Sequence, residues 1–281
     1  MTKYLIVCAL FFAFSASAQK SDKKKSEYAP IEITKTDGSK MNVLFKRITM
    51  PGLSSFQEMF GGASNTNIKI EYKTSETGSV EKMNSKDIEK IKFLDEDQDE
   101  IGGFERLKIK EFDRNNVLQA TKKVIYMPQI YDGKIGVYGE PVFICSTTSP
   151  NSKVVFGCRY AYTTIYLKNN QDKFAVTPLD IKVFNMSRSF DNFVNAFKAT
   201  GKDCPEFNAY LESFRKKMED KEFQKKMRDD ITDYRKEVKK QAKDLDMNSR
   251  EREDYLARKM FFHEAQLYIG IVKEYEKNCP L

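Results

Sequence analysis

Between Pro30 and Thr177 apolar residues recur mainly at every second position, whereas from about Ser187 onward they recur at every third or fourth. The first spacing is that of strands with one buried face, the second that of helices with a buried stripe. Ile31 and Ile33 alternate with polar neighbours, Asp37-Gly38 marks a turn, and Met41, Val43 and Phe45 alternate on the return, which predicts a β-hairpin. Ile68, Ile70 and Tyr72 predict a further strand, with a turn at Thr77-Gly78 and a partner carrying Val80 and Met83. Ile88, Ile91 and Leu94 are spaced by threes, which fits either a short helical turn or a strand. Leu107, Ile109 and Glu111 lead to a turn at Asp113–Asn116 and a strand over Val117–Met127. The stretch from Pro128 to Pro141 holds Gly133, Gly136 and Gly139 and reads as a turn-rich connection. Glycines and tyrosines on loops also suit a binding mouth, so Tyr131, Asp132 and Tyr138 are candidates for a binding surface.

From Val142 to Leu167 the alternation predicts another hairpin. Counting outward from a two-residue turn at Asn151-Ser152 places Cys145 directly opposite Cys158, at a pair where the chains approach closely enough for a disulfide. The same count puts Phe143, Phe156, Tyr160, Tyr162 and Tyr166 in one aromatic row, better suited to core packing than to a carbohydrate platform. Phe174–Thr177 closes the β region before Pro178. Two loops stand out. Thr49–Asn65 carries Leu53, Phe56, Met59 and Phe60, an apolar set that fits a tucked lid or an exposed contact patch. Asp95–Glu100 alternates acids, but Glu100 stands where a calcium loop needs glycine and Arg106 where it needs glutamate, so it reads as a solvated loop.

In the helical part, Phe190, Phe193, Val194 and Phe197 share a face on a helix ending at Gly201, and Asp203 is placed to cap the next. Phe207, Leu211, Phe214 and Met218 form its stripe. After a gap of five residues, Phe223, Met227, Ile231, Tyr234, Val238, Ala242 and Leu245 form another, at an eleven-residue repeat that implies a nearly straight helix. Asn248 or Ser249 caps a last helix carrying Leu256, Met260, Ala265, Ile269 and Val272, completing an antiparallel hairpin. The expected class is therefore α+β: an antiparallel β-rich body over residues 30–186, followed by a helical region over 187–281 that contains a long helical hairpin.

Composition adds location. The 281 residues are 40% hydrophobic and 32% charged, enough to bury a sizeable core. Basic Lys3, the apolar run Tyr4–Phe14 and the small residues Ser15–Ala18 describe a secretory signal peptide over residues 1–18. A lysine-rich leader, 19–29, has nothing to bury and reads as disordered. No later segment is apolar for long enough to span a bilayer, so the exported product is expected in the periplasm, at the outer membrane or outside the cell. The formal charge of +7 is spread among interleaved acids, which argues against nucleic acid as a partner. With Cys8 in the signal, Cys145, Cys158, Cys204 and Cys279 remain, and an even number in an oxidising compartment favours two disulfides.

Phe197 with Asp203-Cys204-Pro205-Glu206-Phe207, and Ile271-Val272-x-x-Tyr275-x-x-x-Cys279, resemble the C-terminal signature of uncharacterised secreted β-rich proteins of Bacteroidetes. Those pair a Phe…Asp-Cys-Pro-x-Leu segment with an Ile-Val-x-x-Tyr-Asn-x-x-Cys ending. The likeness covers the last third of the chain. Phe207 stands for the usual leucine, Glu276 for asparagine, and the connection between the two segments is much longer. That family has no established activity, so the resemblance implies a layout and a location but no mechanism. Geometry then limits the cysteines. One unbroken helix from Phe207 to Leu245, folded back at Asn248, would bring Cys279 beside Lys217, about 20 Å from Cys204 at 1.5 Å per residue. The five-residue gap between Met218 and Phe223 predicts a bend near Glu219-Asp220 that closes a Cys204–Cys279 clasp.

His263 is the single histidine, on an apolar helix, so catalysis by a serine or cysteine with histidine has one ring to draw on, and helix packing is the better reading. No nucleophile elbow, phosphate loop or zinc-protease motif is present, and no cofactor or metal is implied. Three functions fit: a non-catalytic exported module that contacts an envelope protein or glycan, a hydrolase using carboxylates around Asp132, and an extracytoplasmic assembly factor with the helical hairpin as its arm.

Overall fold

The computed structural model describes residues 28–46, 69–94, 101–113, 115–147, 155–178, 186–202 and 204–279. The expected signal, the 49–65 loop, the acidic run 95–100 and the Asn151-Ser152 turn lie outside the described residues. Strand β1 (Tyr28–Lys35) begins two residues inside the expected leader, because Ala29 is already in the core. It pairs with β2 (Lys40–Lys46), with Ile31 opposite Val43. At the turn Asp37 accepts from the Ser39 amide and hydroxyl, at 2.8 and 2.7 Å, and these bonds hold its carboxyl below the ordinary value. β3 (Lys69–Lys73) and β4 (Glu81–Asn84) follow, then a 3-10 turn over Ser85–Asp87 and β5 (Ile88–Phe93), which resolves the helix-or-strand ambiguity in favour of both in succession. The order here is β5-β1-β2-β3-β4. Three residues join β4 to β5, which stand at opposite ends of this run of five, so the run must curl strongly upon itself; β5 also pairs antiparallel with the next strand, Gly103–Phe112, so that all ten strands belong to one sheet.

The remaining strands form a meander: β6 (Gly103–Phe112), β7 (Leu118–Tyr131), β8 (Ile135–Thr147) and β9 (Val155–Asn169). β10 (Phe174–Val176) pairs antiparallel with β9 and parallel with β6, closing five strands into a ring. A closed ring with an odd number of strands must contain one parallel seam, and β10–β6 is it. Leu107, Ile109, Ile125, Met127, Tyr138, Tyr166 and Ala175, drawn from all five strands and from no helix, pack into one buried cluster that fills the interior. Pro128–Pro141 is thus no loop. It is the end of β7 and the start of β8 around a short turn at Asp132–Lys134. Gly139 lies in β8, where a Cβ would run into the Thr164 carbonyl and sit 3.3 Å from the Phe261 ring. Its bare backbone lets the last helix seat closely.

Four helices follow: α1 (Met186–Gly201), α2 (Pro205–Glu219), α3 (Lys221–Asp244) and α4 (Ser249–Asn278). The break between α2 and α3 falls on Asp220, whose side chain accepts from the Phe223 amide at 2.7 Å and so starts α3 as it ends α2. Asn248 and Glu251 form a reciprocal capping box at the start of α4. The cap of α2 differs from expectation: Cys204 occupies the N-cap with no side-chain bond, and Asp203 is outside the described residues. Cys204 is instead held covalently. Its disulfide to Cys279 joins the start of α2 to the end of α4, with Cα atoms 6.1 Å apart. Beside it Phe207 meets Tyr275 edge-on at 5.1 Å, while Phe193 and Phe197 pack on Tyr268. These aromatic rings share a continuous core with Ile135, Val137, Ile165, Leu167 and Val176 from the outer face of the ring. Helices and sheet therefore bury one another.

Candidate functional site

Two polar assemblies are built on this frame. The first closes one end of the β6–β10 ring, where the start of β6, the end of β7, the start of β8 and the end of β9 meet. Glu105 of β6 is buried there, paired with Lys168 and accepting from the Tyr138 hydroxyl at 2.6 Å, with Lys90 at 3.8 Å. Gln129 donates to Asp132 at 2.8 Å and lies 3.3 Å from the Tyr138 hydroxyl. Burial, and then the Glu105 charge, push the Tyr138 hydroxyl far above its ordinary value. Tyr138 is thus wholly inside the protein, and Asp132 alone of the three candidate surface residues is exposed. Both Glu105 oxygens are occupied, which suits a carboxylate that holds strands together and leaves it poorly placed to take a substrate proton.

Tyr131 belongs to a related contact. Its hydroxyl donates to Glu276 of α4 at 2.6 Å, and the same carboxylate accepts from the Lys134 amide at 2.8 Å. Lys134 Nζ donates to the Cys279 carbonyl at 3.0 Å. The bond to Glu276, with burial, pushes the Tyr131 hydroxyl up to about 12. A Cβ on Gly133 would run into Glu276, so the glycine admits the carboxylate. Glu276 thus docks the β7–β8 turn onto the clasped end of α4.

The second assembly is a groove of about 510 Å³ between the outer part of the β8–β9 hairpin and the helical hairpin α3–α4. Ile144, Arg159, Tyr160 and Tyr162 line one wall, Arg235 and Lys239 of α3 and Glu253 and Leu256 of α4 the other. A one-residue bulge at Ala161 sets the first wall: Val142 pairs with Tyr162, but Phe143 pairs with Tyr160. The extra residue reverses the alternation beyond it. The expected single aromatic row is therefore split: Tyr166 points into the ring, while Tyr160 turns to the helices and packs with Val238, Leu256, Ala257 and Met260. The Arg235 guanidinium lies over the Tyr160 ring at 5.7 Å and donates to the Tyr160 carbonyl at 3.2 Å, while its buried Nε lacks a protein partner. Ile144 is 53% exposed at the rim.

Backbone register brings Cys145 opposite Cys158, the expected pairing, although a register shift between Ser146 and Thr147 separates that pair from the turn; Cys158 is disulfide-bonded. His263 stacks on Tyr234 with centroids 3.9 Å apart and meets Asp230 at 2.9 Å, joining α4 to α3. Among the described residues no cluster of three or more histidines, cysteines or carboxylates is placed to hold a metal ion, and no helix is long and apolar enough to cross a membrane. Sequence reasoning did not single out Glu105, Lys168, Arg235 or Lys239. The one available signal was the four-residue spacing of Arg235 and Lys239 on a helix face, and nothing local ties them to Arg159.

The fold and its two polar assemblies define an α+β protein with a plugged five-stranded ring, a clasped helical hairpin and a cationic groove between them. No family model, curated protein or solved structure matches the chain.

Proposed function

We propose that this is a non-catalytic exported module that holds a partner of the cell envelope in the groove between β9 and the helical hairpin. The groove carries the reading: its volume falls within the range of ligand sites, and three cations converge on it beside a rigid aromatic wall. Export is supported by the signal-like residues 1–18 and by the Cys204–Cys279 disulfide, a bond that persists in oxidising compartments. Retention of the purified protein on isolated envelope sheets, compared with an Arg159→Glu variant, tests the module. Arg159 is exposed on β9, so its reversal changes the groove and leaves the core alone. Retention that drops with the variant supports the proposal, and retention indifferent to it refutes the groove. Fractionation of cells expressing the full chain tests export, and recovery in the cytoplasm alone refutes that part.

A further inference from the structure

The groove has a chemistry of its own, and it rests on a strand edge. β9 pairs with β8 along its length but with β10 only at Leu167, so among the described residues its other edge carries no strand partner from Val155 to Tyr166. Arg159–Tyr162 of that strand line the groove, and the Tyr160 carbonyl there accepts from Arg235. Of the charged residues that line the groove three are cations, Arg159, Arg235 and Lys239, and one is an acid, Glu253, while Glu264 lies against the Tyr160 hydroxyl. Arg235 is held by the Tyr160 ring and carbonyl, and its Nε goes without a protein partner. Ile144 gives the rim an exposed apolar contact.

A strand edge without a strand partner recognises a polypeptide, whose main chain offers amides and carbonyls at strand spacing, in a way that a sugar chain cannot match. Three cations against one carboxylate select for negative charge. Resting on the groove reading above, we infer that the occupant is an extended acidic segment of a partner protein, with its carboxylates on Arg159, Arg235 and Lys239 and an apolar side chain against Ile144. In an extended segment successive side chains point to opposite sides, so acids alternating with aliphatic residues satisfy both requirements.

The test uses the purified protein and three probes: a labelled peptide alternating glutamate with valine, its glutamine–valine counterpart, and oligogalacturonate as an anionic glycan. The glutamate peptide is expected to bind at low salt, to weaken as salt rises, and to bind at least about tenfold more tightly than the glutamine peptide. Arg159→Glu should weaken it by about tenfold or more with unchanged helix content, and Arg159→Lys should retain most of the binding. Equal binding of the two peptides, insensitivity to Arg159→Glu, or binding of oligogalacturonate in place of the glutamate peptide overturns the inference. If envelope retention depends on Arg159 while the glutamate peptide does not bind, the groove stands and the acidic segment falls. If retention ignores Arg159, both fall.

Discussion

Removing the clasp with the double substitution Cys204→Ser, Cys279→Ser should cost the protein about 4.5 kcal/mol. The figure follows from the loop that the bond closes. Cys204 and Cys279 are 75 residues apart, and the entropy withdrawn from the unfolded chain by closing a loop of that length is about 15 cal/mol/K, or about 4.5 kcal/mol at 25 °C. Serine is close to cysteine in volume, and the Phe207–Tyr275 contact beside the bond needs no sulfur, so the native packing should change little. Urea unfolding followed by helical circular dichroism provides the assay. With a slope of about 2–3 kcal/mol/M for a chain of this size, the midpoint should fall by about 1.5–2.3 M. A loss below about 1 kcal/mol would refute the reasoning. It would mean that α2 and α4 already hold the two ends together in the unfolded ensemble, leaving the bond little entropy to remove.

Three further outcomes are expected. Glu105→Gln should destabilise the ring by about 3–5 kcal/mol, because it leaves Lys168 charged and largely buried, whereas Glu105→Leu combined with Lys168→Met should recover most of that loss in the same urea assay. Asp220→Ala removes the acceptor of the Phe223 amide and should cost about 1 kcal/mol in thermal unfolding, and an unchanged midpoint would deny the cap any role at the bend. Tyr131, raised to about 12 from an ordinary value near 10, binds its proton more tightly in the folded chain than in the unfolded one. Its contribution is complete below about pH 10 and is lost as pH climbs toward about 12, so wild type should lose more stability over that window than Tyr131→Phe; parallel curves would refute the Glu276 contact.

Much of this protein could be read from local spacing. Alternation at Ile31, Ile33, Val43 and Phe45 determined the first hairpin. The five-residue gap after Met218 located the helix break, since a stripe that must keep facing a core cannot skip a position without the axis turning. The clasp then followed from the rise per residue. All of these depend on residues close in sequence, or on lengths that a regular element makes additive.

Tertiary structure decided the rest. The sequence marks Phe174–Thr177 as the end of the β region, but three residues cannot say what they pair with, and it is the two pairings of β10 that close the ring and turn Leu107, Ile109 and Tyr138 into an interior. The closure also buries Glu105 and Lys168, which sit at opposite ends of the meander and look like ordinary polar strand residues in the sequence. A single extra residue at Ala161 moved Tyr160 from the expected aromatic row to the helices, because strand alternation has period two and one insertion inverts it. The groove exists only because that inversion meets Arg235, some seventy-five positions further along the chain. Periodicity tells each residue which face it occupies, and only the pairing of distant elements decides what lies across from that face.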